Sequence, residues 1–207
     1  DMNRVVGTVR SGRRISSTHL TALDNPNHGL TMDDIRPSSH LYDRWEWSVF
    51  DARGQLISTI LGDGSVTRYA YDDLGRLVAT LGFVNRLDSS VLDGFKTTPP
   101  TTLTLPGAHA DDVITRNFYD GDGLLIGTMD GSGYLTQFVF DGNGRKVSET
   151  LFDQATQPSL RLNGTFDELL ASITPNAAKD VTNHYVYDGQ GFLRFTIDAL
   201  GRITENV

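Results

Sequence analysis

An all-β chain, folded as a meander of short antiparallel strands with helices confined to inserts, is what this sequence predicts. Three observations predict it. An aromatic-Asp-x-x-Gly segment occurs five times, its copies come in pairs whose Asp residues lie 21 apart, and the pairs recur every 68 or 69 residues. A fixed period of that length signals a repeat architecture. The composition agrees: 38% hydrophobic residues and 21 glycines in 207 suit many strands and turns better than one thick core.

In chain order, Ser17-Thr18-His19-Leu20-Thr21-Ala22-Leu23 before Pro26 comes first and reads as a short helical insert. A strand follows in which Trp45 and Trp47, two apart, share a face. It leads into the turn Phe50-Asp51-Ala52-Arg53-Gly54. In such a turn the Asp side chain accepts backbone N–H groups and the Gly tolerates positive φ, so the segment closes a hairpin. A weaker turn follows at Gly62-Asp63-Gly64. Arg68-Tyr69-Ala70-Tyr71 then leads into Tyr71-Asp72-Asp73-Leu74-Gly75, and Arg76-Leu77-Val78-Ala79-Thr80 leads out. An insert from Val84 to Asp111 carries a weaker helical segment, Ser89-Ser90-Val91-Leu92-Asp93-Gly94-Phe95, ended by Pro99-Pro100.

The order returns one period later. Tyr119-Asp120-Gly121-Asp122-Gly123, the weaker Asp130-Gly131-Ser132-Gly133, and Phe140-Asp141-Gly142-Asn143-Gly144 repeat the three turns. The next insert, Asp153 to Lys179, contains the capping box Thr165-Phe166-Asp167-Glu168. Phe166, Leu169, Leu170 and Ile173 fall at helical spacing, and the helix should stop at Thr174-Pro175. A third period opens with Tyr187-Asp188-Gly189-Gln190-Gly191 and Asp198-Ala199-Leu200-Gly201. Asp43, Asp112 and Asp180 each follow an insert, eight residues before a turn Asp.

These repeats divide the chain into a partial unit at 1–40, full units at 41–111 and 112–179, and the start of another at 180–207. The structural turn residues are Asp51, Gly54, Asp72, Gly75, Asp120, Gly123, Asp141, Gly144, Asp188 and Gly191. Phe50, Tyr71, Tyr119, Phe140 and Tyr187 precede them and should align as an aromatic ladder across strands.

The segment Tyr71-Asp72-Asp73-Leu74-Gly75-Arg76-Leu77 closely resembles the YD repeat of the Rhs family. Phe140-Asp141-Gly142-Asn143-Gly144-Arg145-Lys146 is similar, with Lys146 where an apolar residue is usual, and Asp1-Met2-Asn3-Arg4-Val5 matches its turn with one residue shifted. The resemblance covers residues 40–207 directly. It implies a β-hairpin strip that curls into part of a hollow shell or tube. Such strips occur in bacterial Rhs polymorphic toxins, in the B and C components of insecticidal toxin complexes, and in teneurins. The resemblance also implies an extracellular or cell-surface place. The partners it implies are further copies of the repeat, in one polypeptide or a homo-oligomeric filament, with an encapsulated effector or a surface glycan besides. The self-cleaving Asp-Pro-x-Gly core motif of the toxin shells does not occur here, and the repeats run to Val207, so effector and autoprotease functions do not carry over.

Other functions find little support. The net charge of −8, with no basic cluster beyond Arg13-Arg14, argues against a nucleic-acid partner. With no cysteine there are no disulfides or thiolate metal sites, and no apolar run approaches the ~20 residues of a membrane-spanning helix. Counting an EF-hand loop from Asp120 puts Leu125 at the required Gly and Gly131 at the required Glu, so turn chemistry explains these loops better than calcium. Each turn carboxylate recurs with its turn, which gives it a structural cause in place of a glycosidase role. The five histidines lack ligand spacing, and Gly131-Ser132-Gly133 lacks the nucleophile elbow. No catalytic, metal or cofactor residue is assigned, and the expected role is structural. Trp45 and Trp47 read as wall packing, with a glycan-stacking platform as the competing reading.

Asp1 matches Asp141 in phase, Val207 matches Val139, and 207 residues are three periods of 69. There is also no initiating Met or signal peptide. The chain is therefore expected to be a phase-cut portion of a longer array or the repeating subunit of a filament, terminal strand pairing with the next first strand.

Overall fold

The computed structural model describes residues 4–207, so Asp1 and its phase match lie outside the described residues. The fold is an all-antiparallel sheet of 12 strands that follow one another in chain order. They are β1 (Gly7–Arg10), β2 (Arg44–Phe50), β3 (Leu56–Leu61), β4 (Val66–Tyr71), β5 (Leu77–Gly82) and β6 (Val113–Tyr119). After these come β7 (Leu125–Met129), β8 (Tyr134–Phe140), β9 (Lys146–Ala155), β10 (Val181–Tyr187), β11 (Leu193–Ile197) and β12 (Ile203–Glu205). Helices α1 (Ser17–Ala22), α2 (Met32–Ile35), α3 (Ser89–Thr97) and α4 (Phe166–Ala171) all lie in the inserts.

Three of the four helices, α1, α2 and α4, begin at a side-chain cap. The Ser16 hydroxyl accepts the His19 N–H at 3.1 Å ahead of α1. Thr165 and Glu168 close a reciprocal capping box on α4, and Thr31 and Asp34 close the same box on α2. Helix α4 stops at Ala171, short of the Thr174-Pro175 stop that the apolar spacing suggests, and its end tightens as the Ile173 N–H donates to the Leu170 carbonyl at 3.1 Å. Ile173 is buried nonetheless, from just beyond the helix end.

The chain forms two compact units that cut the sequence period at a different point from its turns. Among the described residues the first comprises those up to Arg68 and Phe83–His109, the second Tyr69–Gly82 and Ala110–Val207. In the first unit Trp47, Ile60 and Val66 pair across β2, β3 and β4, so their side chains form one row on one face. With Val49 and Leu92 they make a core that Phe83 and the insert residues Leu87, Phe95, Leu103 and Leu105 cover. In the second unit the corresponding row is Arg116, Met129 and Leu135 across β6, β7 and β8. There Phe118, Phe152, Leu169 and Ile173 complete the core, with Leu160, Phe166 and Leu170 packed on it.

Both inserts start from the same anchor. The Leu87 N–H donates to the Gly64 carbonyl at 3.0 Å, and one period on the Thr156 N–H donates to the Gly133 carbonyl at 2.8 Å. The turn glycine is thus also the point where the insert is hung from the sheet.

Candidate functional site

The repeated turn is the site this chain builds most often, and it is built from one carboxylate and one glycine. At the second turn the Asp72 N–H donates to the Arg76 carbonyl at 3.0 Å and the Gly75 N–H to the Asp72 carbonyl at 3.0 Å. Asp72 Oδ1 accepts the N–H groups of Leu74 and Arg76 at 3.0 and 2.9 Å. The Asp51, Asp120, Asp141 and Asp188 turns have the same main-chain bonds. Gly54, Gly75, Gly123, Gly144 and Gly191 have φ of 87, 82, 87, 73 and 90°, the left-handed region that excludes most side chains. The register shifts just before the turn, at Val49/Phe50, Phe118/Tyr119, Val139/Phe140 and Val186/Tyr187, which puts Phe50, Tyr119, Phe140 and Tyr187 at bulges.

The weaker turns close in the same way. Gly64, Gly133 and Gly201 have φ of 85, 90 and 76°, and Asp130 and Asp198 accept two N–H groups each. At Gly64 the turn starts on Leu61, and the carboxylate is supplied from inside the loop by Asp63, which accepts Ser65 N–H at 3.0 Å.

An arginine then links one period to the next. Arg76 Nε donates to Asp72 Oδ2 at 2.7 Å, and its guanidinium lies 4.3 Å from the centroid of the Tyr119 ring. Arg145 repeats this on Asp141, at 2.8 Å, and on Tyr187, at 5.0 Å. Arg4 lies 5.1 Å over Phe50. The carboxylate orients the guanidinium plane, and the ring face attracts it. The next turn's glycine leaves the room: a Cβ at Gly123 would stand 3.1 Å from an Arg76 nitrogen, and one at Gly191 3.5 Å from Arg145. These glycines therefore serve a torsion and a close approach together.

Hydrogen bonds hold the carboxyls of Asp72, Asp141 and Asp188 below the usual carboxylate range. For Asp72 the main cause is the Arg76 backbone N–H, followed by its guanidinium; for Asp141 it is the Arg145 side chain, then its N–H. For Asp188 it is the Phe192 N–H, with Arg194 Nε adding to it from 2.7 Å. Lys146, the departure from the usual apolar residue, lies 5.2 Å over Phe138 and 4.6 Å over Tyr185 and pairs with Glu149 at 2.5 Å. Burial pushes its ammonium down, and Glu149 and Tyr185 push it up by more.

A second repeated device ties wall to insert. Trp47 Nε1–H donates to the Phe95 carbonyl at 3.1 Å. One period on, Arg116 stands in its place and donates to the Gly164 carbonyl at 2.6 Å. Burial lowers the Arg116 guanidinium from its ordinary value, far too high for it to lose its charge. The base of an insert is clasped by the Asp that precedes the next strand. Asp43 accepts the N–H groups of Gly12 and His40 at 2.8 Å each, and Asp180 those of Asp153 and Asn176 at 2.9 and 2.6 Å. The spacing of Asp43, Asp112 and Asp180 was visible in the sequence, while the tethers and the arginine link had no local signal there.

Trp45 and Trp47 stack at 5.6 Å, and Phe95 meets Trp47 edge-on at 5.7 Å. Trp47 is 1% exposed, so only Trp45 presents an edge to solvent. Among the described residues no cluster of three His, Asp or Glu could hold a metal, and no helix is long and apolar enough to cross a membrane.

The family model described as RHS Repeat matches residues 50–82, the span that holds the Asp51 and Asp72 turns and Arg76. No curated protein matches the chain. Among solved structures it is similar to the Tc holotoxin pore of Photorhabdus luminescens, at 16% identity and a TM-score of 0.49, over 79% of this chain and 7% of that one. It is also similar to TcdB2-TccC3 without its hypervariable C-terminal region, at 16% identity and 0.47, over 78% and 7%. The TcdB2-TccC3-Cdc42 structure gives 16% and 0.48 over the same shares. The chain thus spans about 7% of the length of the structures it matches.

Proposed function

We propose that this chain, an Rhs/YD-repeat chain, is a non-enzymatic structural segment in the wall of a large extracellular shell or tube. The observation that carries the reading is the arginine link. Arg76 and Arg145 each close their own turn and grip the first turn aromatic of the following period. A device of that kind ties successive repeats together, as a continuous strip of repeats requires. The carboxylates of Asp72, Asp141 and Asp188 support the reading too, because their oxygens accept backbone N–H groups and an arginine Nε.

A glycan-stacking role would rest on Trp45 alone, since Trp47 is sealed between Trp45 and Phe95. Negative-stain images of the intact parent protein test the wall reading, with hollow particles expected. Solid particles, or saturable binding of the chain on a glycan array, would overturn it.

A further inference from the structure

The second compact unit contains two junctions between periods, and the arginine link is the same at both. Arg76 crosses from β5 to Tyr119 of β6, and Arg145 from β9 to Tyr187 of β10. Near-identical periods carry a hazard, because strands of one period can pair with those of another. The link would form equally well with β5 beside β10 or β9 beside β6, so it attaches strands without choosing between them. The residues beside the link differ between the two junctions, and they differ in matched pairs. All four strands are flanked on both sides by other strands of the sheet.

On one face Leu81 lies opposite Ile114 across β5 and β6, and Ile114 packs against the buried core. One period on, the same positions hold Thr150 and Thr182, opposite each other across β9 and β10, with their hydroxyls hydrogen-bonded at 3.0 Å. Where one junction has an apolar pair, the other has a hydroxyl pair, on both strands at once. The opposite face repeats the contrast. Leu77 and Thr80 of β5 have Lys146 and Glu149 of β9 in their places, and Asn117 of β6 has Tyr185 of β10. Lys146 lies over the Tyr185 ring and pairs with Glu149, and the Tyr185 hydroxyl donates to Glu149 at 3.2 Å. Tyr185 thus recognises side chains of its neighbour. Asn117 Nδ2–H donates instead to the Leu77 carbonyl at 3.0 Å, a group that any residue there would present.

We propose that these junction pairs are the specificity determinants of repeat order: Lys146, Glu149 and Thr150 of β9 select Thr182 and Tyr185 of β10, as Leu81 of β5 selects Ile114 of β6. The arginine link supplies attachment, and the pairs beside it supply identity. With β5 beside β10 in the same register, Leu81 would stand against Thr182, and the Tyr185 hydroxyl would lose the Glu149 oxygen. With β9 beside β6, Thr150 would stand against Ile114, and Lys146 would meet the Asn117 amide in place of the Tyr185 ring. Each wrong pairing sets a polar group against an apolar one and breaks the Lys146 cluster. The periods of this strip are therefore not interchangeable. That goes beyond the wall reading and holds for a strip of these repeats whether or not it closes into a shell.

A mutant cycle on the whole chain tests this. One variant gives β9 the residues of β5, through Lys146→Leu, Glu149→Thr and Thr150→Leu. A second gives β10 those of β6, through Thr182→Ile, Asn183→Thr and Tyr185→Asn. A third carries all six changes. Native-state hydrogen exchange of the β10 amides reads the opening of this junction. Each half-recoded chain should open about tenfold more often than the parent, and the chain with all six changes should return to within about threefold of it. A merely structural role for these residues would not give that recovery. Thr150→Leu and Thr182→Ile, singly and together, repeat the cycle at one pair, with a smaller penalty and the same recovery expected, should a triple variant fail to fold. If the two halves multiply their effects in the chain with all six changes, or if either half alone leaves exchange unchanged, the proposal is overturned. Neither result bears on whether the intact parent protein forms hollow particles.

Discussion

Trp47 and Arg116 occupy the same point of the period, yet one is an apolar ring and the other a cation. Each sits beside a paired apolar row, Ile60 and Val66 in one unit and Met129 and Leu135 in the other. Each ends in an N–H that reaches a main-chain carbonyl of the insert above it. The repeat has kept a donor aimed at the insert and let the rest of the side chain change. The inserts have changed with it. The Trp47 unit is covered by Leu92 and Phe95 of the nine-residue α3, and the Arg116 unit by Leu169, Ile173 and Phe166 at the six-residue α4.

If this comparison is right, removing Trp47 costs most, because the side chain supplies packing and tether together. Trp47→Ala should destabilise the chain by about 3–5 kcal/mol in urea unfolding. A loss below about 1 kcal/mol would mean that the insert does not depend on this residue. Arg116→Met separates the two contributions. It keeps most of the aliphatic volume and leaves the Gly164 carbonyl without this donor, for an expected cost of about 1–3 kcal/mol. Hydrogen exchange should show the loss concentrated in residues 156–173. An equal loss of protection in β2–β4 would show that the two cores are not separately tethered.

The turns are a gentler test. Gly123→Ala should cost about 1 kcal/mol or more, since the left-handed torsion is strained for any Cβ. The Arg76 guanidinium must also yield to the added carbon. Gly201 has the same torsion, and nothing lies within 4 Å of its missing Cβ. The difference between Gly123→Ala and Gly201→Ala therefore reports the crowding by arginine alone. Equal effects would leave torsion as the whole cause.

Much of this was legible in the sequence for a physical reason. A turn is a local object: Asp72, Gly75 and Arg76 lie within five residues of one another, so their spacing states the geometry. The capping box at Thr165 is local in the same sense. Its twin at Thr31 is harder to see because Asp34 replaces the usual Glu and only Met32 and Ile35 follow as apolar residues. The weak turn at Gly64 hides because Leu61 starts it and the carboxylate comes from Asp63. The arginine link and the tethers join residues more than forty positions apart, such as Arg76 with Tyr119 and Trp47 with Phe95. No periodicity marks such a pair, because nothing in either segment alone requires the other. The same holds for Trp47 itself: alternation places it with Trp45 on one face, and only the fold shows that Phe95 closes over it.

The smallest effect concerns pH and the carboxyls behind the arginine link. Asp72 and Asp141 titrate below their ordinary value because the folded turn donates hydrogen bonds to their charged forms. A depressed folded pKa adds stability that is fully present above the unfolded value, about 3.9, and is lost as pH falls through the folded value. Acidification below about 4 should therefore loosen these turns before it touches the buried apolar rows. Carboxyl carbon shifts followed by NMR should place both midpoints below the ordinary aspartate value. Arg76→Ala should then raise the Asp72 midpoint only part of the way back, because the backbone N–H of residue 76, the largest cause of the shift, remains. At Asp141 the side chain of Arg145 is the larger cause, so Arg145→Ala should raise that midpoint further than Arg76→Ala raises the other. If the two variants move their partners equally, the division between main chain and side chain drawn for the two turns is wrong. The link would then orient the guanidinium over Tyr119 and Tyr187 without setting the charge of the turn that holds it.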